Sequence, residues 1–185
     1  VDKTIAKEKA ESEEWCYEDG LTDYLTQATA EFETVPIEPF FGSVQGNDEA
    51  VEWAIQWLPD GGDIIGESYV NLIPTPLGGT HVSGLRTGLL ESLREFCEFR
   101  NLLPRGLKVS ADDVWENCSY VLSSKLLDPQ FSGQTKERLS SRQCTVFVAG
   151  VVKDSFSLWL NQHTAEAEAI AELCINNAQS RLKAS

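Results

Sequence analysis

The chain contains no methionine and only two histidines, His81 and His163, far apart in sequence. Its five cysteines (Cys16, Cys97, Cys118, Cys144, Cys174) are odd in number and form no C-x-x-C pair. A zinc site therefore has no ligand pattern behind it, and no metal ligand is assigned. The thiols read as reduced groups packed as small hydrophobes, which favours a cytoplasmic setting. No apolar run approaches the roughly 20 residues that span a bilayer, and the N-terminus carries no signal-peptide pattern, so no membrane association is expected. The motifs of self-contained active sites are also missing: no G-x-x-x-x-G-K-[ST] phosphate loop, no G-x-G-x-x-G after a strand, no G-x-S-x-G elbow and no H-E-x-x-H. Nothing reads as an enzyme complete in itself. With no methionine and an opening Val1, the chain is expected to be a piece of a longer protein.

What is present is a globular composition: 185 residues, 42% hydrophobic, with five tryptophans, enough for one ordinary domain with a real core. The net charge of −14 is unevenly spread. Residues 1–70 hold three Lys/Arg against seventeen Asp/Glu, whereas residues 71–185 hold twelve of each. The acidic total argues against nonspecific nucleic-acid binding by the whole surface and leaves room for one basic face.

Periodicity places the elements. Residues 1–14 are charged and nearly featureless, and "WCYEDG" reads as a strand end and turn. In "LTDYLTQATAEF", Leu21, Tyr24, Leu25 and Ala28 step at helical spacing, and Pro36 and Pro39 close that section. Val51, Trp53, Ile55 and Trp57 alternate with Glu52, Ala54 and Gln56, a half-buried strand that "PDGGD" and "IIGESYVNLIP" extend into a hairpin. A long helix is predicted from Thr80, taken as N-cap, to about Asn101. Ser110 and Asp113 suggest a capping box, and "CSYVLSSKLL" a strand. The Val-rich stretch after Ser140 is read as a helix on its length and on Ser140 with Gln143. A final helix runs from residue 163 to the end. The sum is α+β, a small mainly antiparallel sheet with helices on one face and a long C-terminal helix.

Between the strand and these helices lies "DPQFSGQTKERLSSRQC", residues 128–144. There Gly133 lets the backbone turn, and Gln134 stands two residues before Lys136, with Arg138 and Arg142 nearby. A lysine on such a loop is ordinarily solvated surface charge. It can also deliver a point charge to a phosphate that another part of the protein holds. Arg86 is ordinarily a helix arginine with an ion pair or two, and with Arg94 and Arg100 it forms a broad stripe along one helix. His81 reads as structural, and the tryptophans as core and interface anchors, Trp53 and Trp57 sharing a strand face.

"LGGTHVSGLRTGLLESLREFCEFRNLLPRG" and "GQTK" after "DPQF" resemble the B subunits of bacterial type IIA DNA topoisomerases. "YVLSSKLLDPQFSGQTKERLSSRQC" and "AVEWAIQWLP" are more similar to the topoisomerase IV branch than to gyrase, and Leu77 stands where many gyrase-type sequences have Glu. The likeness runs from about Trp15 to Gln162. It implies a transducer domain over 1–162, with the fold of the second domain of ribosomal protein S5. Residues 163–185 would begin the helix leading to a metal-binding cleavage domain. It implies that Gln134 and Lys136 contact the γ-phosphate of ATP, bound with Mg2+ mainly by an N-terminal domain, with Lys136 in the catalytic role and Thr135 a spacer. It also implies that Arg86 faces a cavity for double-stranded DNA, and that partners are the ATP-binding and cleavage domains of the same chain and the topoisomerase IV A subunit. The 185 residues are not expected to be active alone. The same domain of gyrase, a freestanding nucleic-acid-binding module and a plain structural domain remain the alternatives.

Overall fold

The computed structural model describes residues 20–62 and 64–184; the reading of "WCYEDG" as a strand end and turn lies almost wholly outside them. Helix α1 is described over residues 20–28. Strands β1 (Val35–Gln45), β2 (Glu49–Trp57), β3 (Gly66–Val70) and β4 (Ile73–Pro74) follow, then helices α2 (Thr80–Phe99) and α3 (Ala111–Trp115). Strand β5 (Cys118–Leu126) and helices α4 (Arg142–Gln162) and α5 (Thr164–Ala184) complete the order. The sheet runs β1-β2-β5-β3-β4, antiparallel throughout except that β3 lies parallel to β5.

Alternation along β2 decides how the layers stack. Val51, Trp53, Ile55 and Trp57 point to one face and meet Leu85, Leu89 and Leu93 of α2 and Val148, Val152, Phe156 and Leu160 of α4 in a single core. The buried α4 positions recur every four residues, which is why a Val-rich stretch settles as a helix. Phe156 is stacked with Trp57 at 5.9 Å and lies 4.9 Å from Phe40, joining helix to sheet through aromatic rings. Helix α5 adds Ala167, Ile170, Ala171, Cys174 and Ala178 to the same core. On the opposite face α1 covers a smaller patch, Leu21 and Leu25 against Ala54 and Val121. Glu67 fastens it, accepting hydrogen bonds from the hydroxyls of Tyr24 and Tyr69.

Two helices approach unusually closely. A Cβ on Gly84 would sit 2.7 Å from the Thr145 carbonyl oxygen, and one on Gly88 2.8 Å from that of Ala149. Bare glycine faces thus let α2 lie directly on the backbone of α4.

The α+β architecture is as the sequence predicts, with α1 set on the face opposite the other helices, and four local readings are corrected. Pro36 and Pro39 do not end a section: they lie in β1, an edge strand whose register is irregular between Val35 and Phe40, where proline is tolerated. Strands β2 and β3 form no hairpin, because β5 pairs with β2 on one side and β3 on the other. Thr80 is the first residue of α2, not its cap; Gly79 is the cap. Ser141 rather than Ser140 caps α4, with no side-chain cap bond, its hydroxyl accepting from the Gln130 N–H at 2.8 Å instead. The box at Ser110 and Asp113 is present.

Candidate functional site

Residues 132–138 form a loop closed at its root by an antiparallel bridge between Phe131 and Leu139 and by the Ser132 N–H donating to the Arg138 carbonyl at 2.9 Å. Gly133 takes a positive φ of 76° and turns the chain. Gln134, Thr135 and Lys136 are exposed at the tip. Among the described residues neither the Gln134 amide nor the Lys136 ammonium has a side-chain partner. Leu139, by contrast, is only 1% exposed. It docks on the segment entering α2: the Leu77 N–H donates to Glu137 O at 3.0 Å, Leu139 N–H to Gly78 O at 3.0 Å, and Thr80 N–H to Leu139 O at 3.1 Å. The tip is therefore free while its root is held.

Beside this root His81 is fully buried, its Nε2 3.1 Å from the Thr75 hydroxyl, which in turn lies 2.8 Å from that of Ser68. Burial drives its pKa down to about 4, so the ring is neutral and structural. The arginine stripe is engaged within the fold. Arg86 donates to Asp112 at 2.8 Å and lies 5.4 Å from the Trp115 ring centroid, with its side chain still 36% exposed. Arg94 donates to the Val109 carbonyl at 2.8 Å, and Arg100 pairs with Glu168 at 3.2 Å while covering Phe96. Burial pushes the Cys97 thiol up to about 11, that of Cys144 to about 12, and those of Cys118 and Cys174 well above the ordinary thiol value; these are packed thiols, not nucleophiles.

Two unpartnered donors, one charged and one neutral, on an exposed tip suit phosphate oxygens presented from outside. The described residues hold no cluster of His, Cys, Asp and Glu fit for a metal ion, and no helix long and apolar enough to cross a membrane. Residues 20–185 match the family described as DNA gyrase B. The chain belongs to that family. It is 63% identical over 182 residues to the B subunit of DNA topoisomerase 4 from Haemophilus influenzae, covering 98% of this chain and 29% of that protein. Among solved structures it resembles the topoisomerase IV ATP-binding domain of Francisella tularensis, in complex with a small-molecule inhibitor. The TM-score is 0.79 and the identity 39%, over 88% of this chain and 43% of that one. It also resembles the 43K ATPase domain of Thermus thermophilus gyrase B, in complex with an aminocoumarin (TM-score 0.78, 27% identity, 89% and 44% covered). The chain thus spans less than a third of the curated relative and under half of each of these two structures.

Of the residues singled out in this DNA gyrase B family member, Gln134 and Lys136 share one loop tip. Arg86 lies elsewhere, about 9 Å along α2 from Thr80 at 1.5 Å per residue, against α3. Sequence reasoning missed the docking of Leu139 on Gly79. Its signals were a lone apolar residue in "KERLSSR" and two glycines at a helix start. It also missed Arg181, which reaches from α5 to the buried Asp113 at 3.0 Å and 3.0 Å.

Proposed function

We propose that this chain is the transducer region of the ATPase subunit of a topoisomerase IV, coupling ATP binding and hydrolysis to movement of a DNA gate during strand passage. The observation that carries the reading is the pair of exposed, unpartnered donors, Gln134 and Lys136, on a tip whose root is fixed to α2. The Lys136 Nζ supplies a positive charge to the terminal phosphate oxygens, and the Gln134 amide donates beside it. ATP, when bound by the preceding domain with Mg2+, supplies the phosphoryl bond whose cleavage removes that partner. The tip then lets go, and a contact that differs between two nucleotide states is what a switch requires. Leu77, 65% exposed and hydrogen-bonded to Glu137 at the root of the loop, leaves apolar surface for a domain to cover.

On this reading residues 1–162 form the transducer, and 163–185 start the helix toward the metal-binding cleavage domain. Arg86 faces a cavity for double-stranded DNA, contacting phosphates without reading sequence. The partners are the ATP-binding and cleavage domains, the topoisomerase IV A subunit and DNA, in the cytoplasm. The 63% identity to a topoisomerase IV protein favours that branch over gyrase, whose matched structure is 27% identical. Steady-state ATP turnover and nucleotide affinity of the intact subunit against Lys136→Ala test it. Turnover is expected to fall on the order of 100-fold, as for loss of one transition-state donor, with affinity changed far less. Unchanged turnover and affinity would leave Lys136 an ordinary surface lysine.

A further inference from the structure

The loop is tied to the segment that enters α2 and to that helix's first residue. Beyond the root bridge, three backbone hydrogen bonds join 137–139 to 77–80, and Leu139 pairs with Gly79 in a parallel bridge. The contact leaves no room: a Cβ on Gly79 would lie 2.4 Å from the Leu139 carbonyl oxygen and 2.5 Å from its nitrogen, at a φ of 138°. Leu139 is buried between exposed Arg138 and Ser140, so its side chain anchors an otherwise solvated segment. The next residue, Thr80, begins α2, and its carbonyl accepts from the Thr145 hydroxyl of α4 at 3.0 Å. Gly84 and Gly88 then seat α2 on α4 along the following two turns. Loop root, start of α2 and first turns of α4 therefore form one body. That body carries Arg86, Arg94 and Arg100 along the same helix.

We propose that Gly79 and Leu139 are positioning residues: the joint they form sets where Lys136 is held, and displacement of the loop passes through it into α2. This rests on the reading of Lys136 as a phosphate-contacting group. Gly79 and Leu139 touch no nucleotide themselves; they act by fixing the root from which Lys136 reaches. A packed joint of backbone against backbone has little compliance, so a push on the loop moves the helix bodily.

The test is a double-mutant cycle in the intact subunit with Mg2+ and ATP, comparing wild type, Gly79→Ala, Lys136→Ala and the double variant. Gly79→Ala is expected to lower kcat about 10- to 100-fold, as misplacement of a reacting group by an ångström does, with KM changed little. In the Lys136→Ala background the same change should cost almost nothing more. Leu139→Ala, which leaves the backbone free of strain, should follow the same pattern, and Leu139→Met should recover most of its loss. Amide hydrogen exchange at Leu139 and Thr80 should quicken in Gly79→Ala and Leu139→Ala. Multiplying, independent effects on kcat, or unchanged exchange at both amides, would overturn the joint while leaving the role of Lys136 intact. A Lys136→Ala subunit with normal turnover would instead remove the reading on which the joint rests.

Discussion

Gly88→Ala and Gly150→Ala are the same chemical change in the middle of two packed helices, and the structure assigns them opposite signs. In each, alanine improves helix propensity by about 1 kcal/mol and removes backbone freedom from the unfolded chain. At Gly150, on the exposed side of α4, an added Cβ meets nothing within 4 Å. The gain stands, and stability should rise by about 0.5–1 kcal/mol. At Gly88 the Cβ would lie 2.8 Å from the Ala149 carbonyl oxygen, 2.9 Å from the Val152 Cβ and 3.0 Å from its Cγ1. None of these is the loose end of a flexible side chain, so the helices must separate along a seam that also holds Leu85, Leu89 and Val148. Overpacking of this kind costs roughly 1–3 kcal/mol, and separation loses dispersion contacts as well. With those lost contacts the penalty exceeds the propensity gain, for a net loss of up to about 2 kcal/mol. Urea unfolding followed by tryptophan fluorescence reads both variants from the shift in midpoint at constant m-value. A Gly88→Ala midpoint raised as far as that of Gly150→Ala would refute the claim that backbone proximity fixes the α2–α4 seam.

Two further outcomes follow from buried polar groups. His81 stays neutral in the fold to about pH 4, whereas the unfolded chain takes up its proton near 6.5, so stability is full above that value and falls as pH drops toward 4. Roughly 3 kcal/mol is lost across the window, a component that His81→Gln should lack when urea midpoints are compared at pH 7 and 4.5; equal pH slopes would contradict it. Burial alone would raise the Asp113 carboxyl, but hydrogen bonds from Arg181 and Ser110 outweigh it and hold it low. Asp113→Ala should cost about 2–3 kcal/mol, because the Ser110 N–H loses its box acceptor, and more than Arg181→Ala at the more exposed end. Thermal unfolding of the two variants checks the order.

The elements that the sequence announced are those whose pattern is set within one segment. β2 alternates because one face meets α2 and α4, and α4 repeats every four residues because a single stripe, Cys144 to Leu160, is buried. Strand β1 was hidden because its prolines are permitted only by its place at the edge, and edge position is a property of the assembled sheet. Likewise nothing within 58–65 tells β2 that its second neighbour will be β5, some sixty residues on, rather than the strand that follows it. Local turn chemistry predicts that the chain reverses; it does not choose the partner.

The same division runs through the candidate site. Gln134 and Lys136 were legible because a polar, glycine-bearing loop is solvated whatever surrounds it. Arg86 was half legible: its helix and stripe follow from spacing, but its partners Asp112 and Trp115 come from α3, which only folding brings alongside. The Gly79–Leu139 contact left only ambiguous signals, since a glycine needed for close approach looks like a glycine needed for a turn. That contact nevertheless separates two ways of reading Lys136. A lysine on a loop with a loose root would follow any anion and transmit nothing. One whose root is locked to the first residue of a 20-residue helix would, on the proposed reading, move that helix when pulled. On the proposed reading, a displacement at Thr80 would arrive at Arg86 and Arg94 along a rod held by i to i−4 hydrogen bonds. On the proposed reading, relay as opposed to binding alone would rest on the joint more than on the lysine.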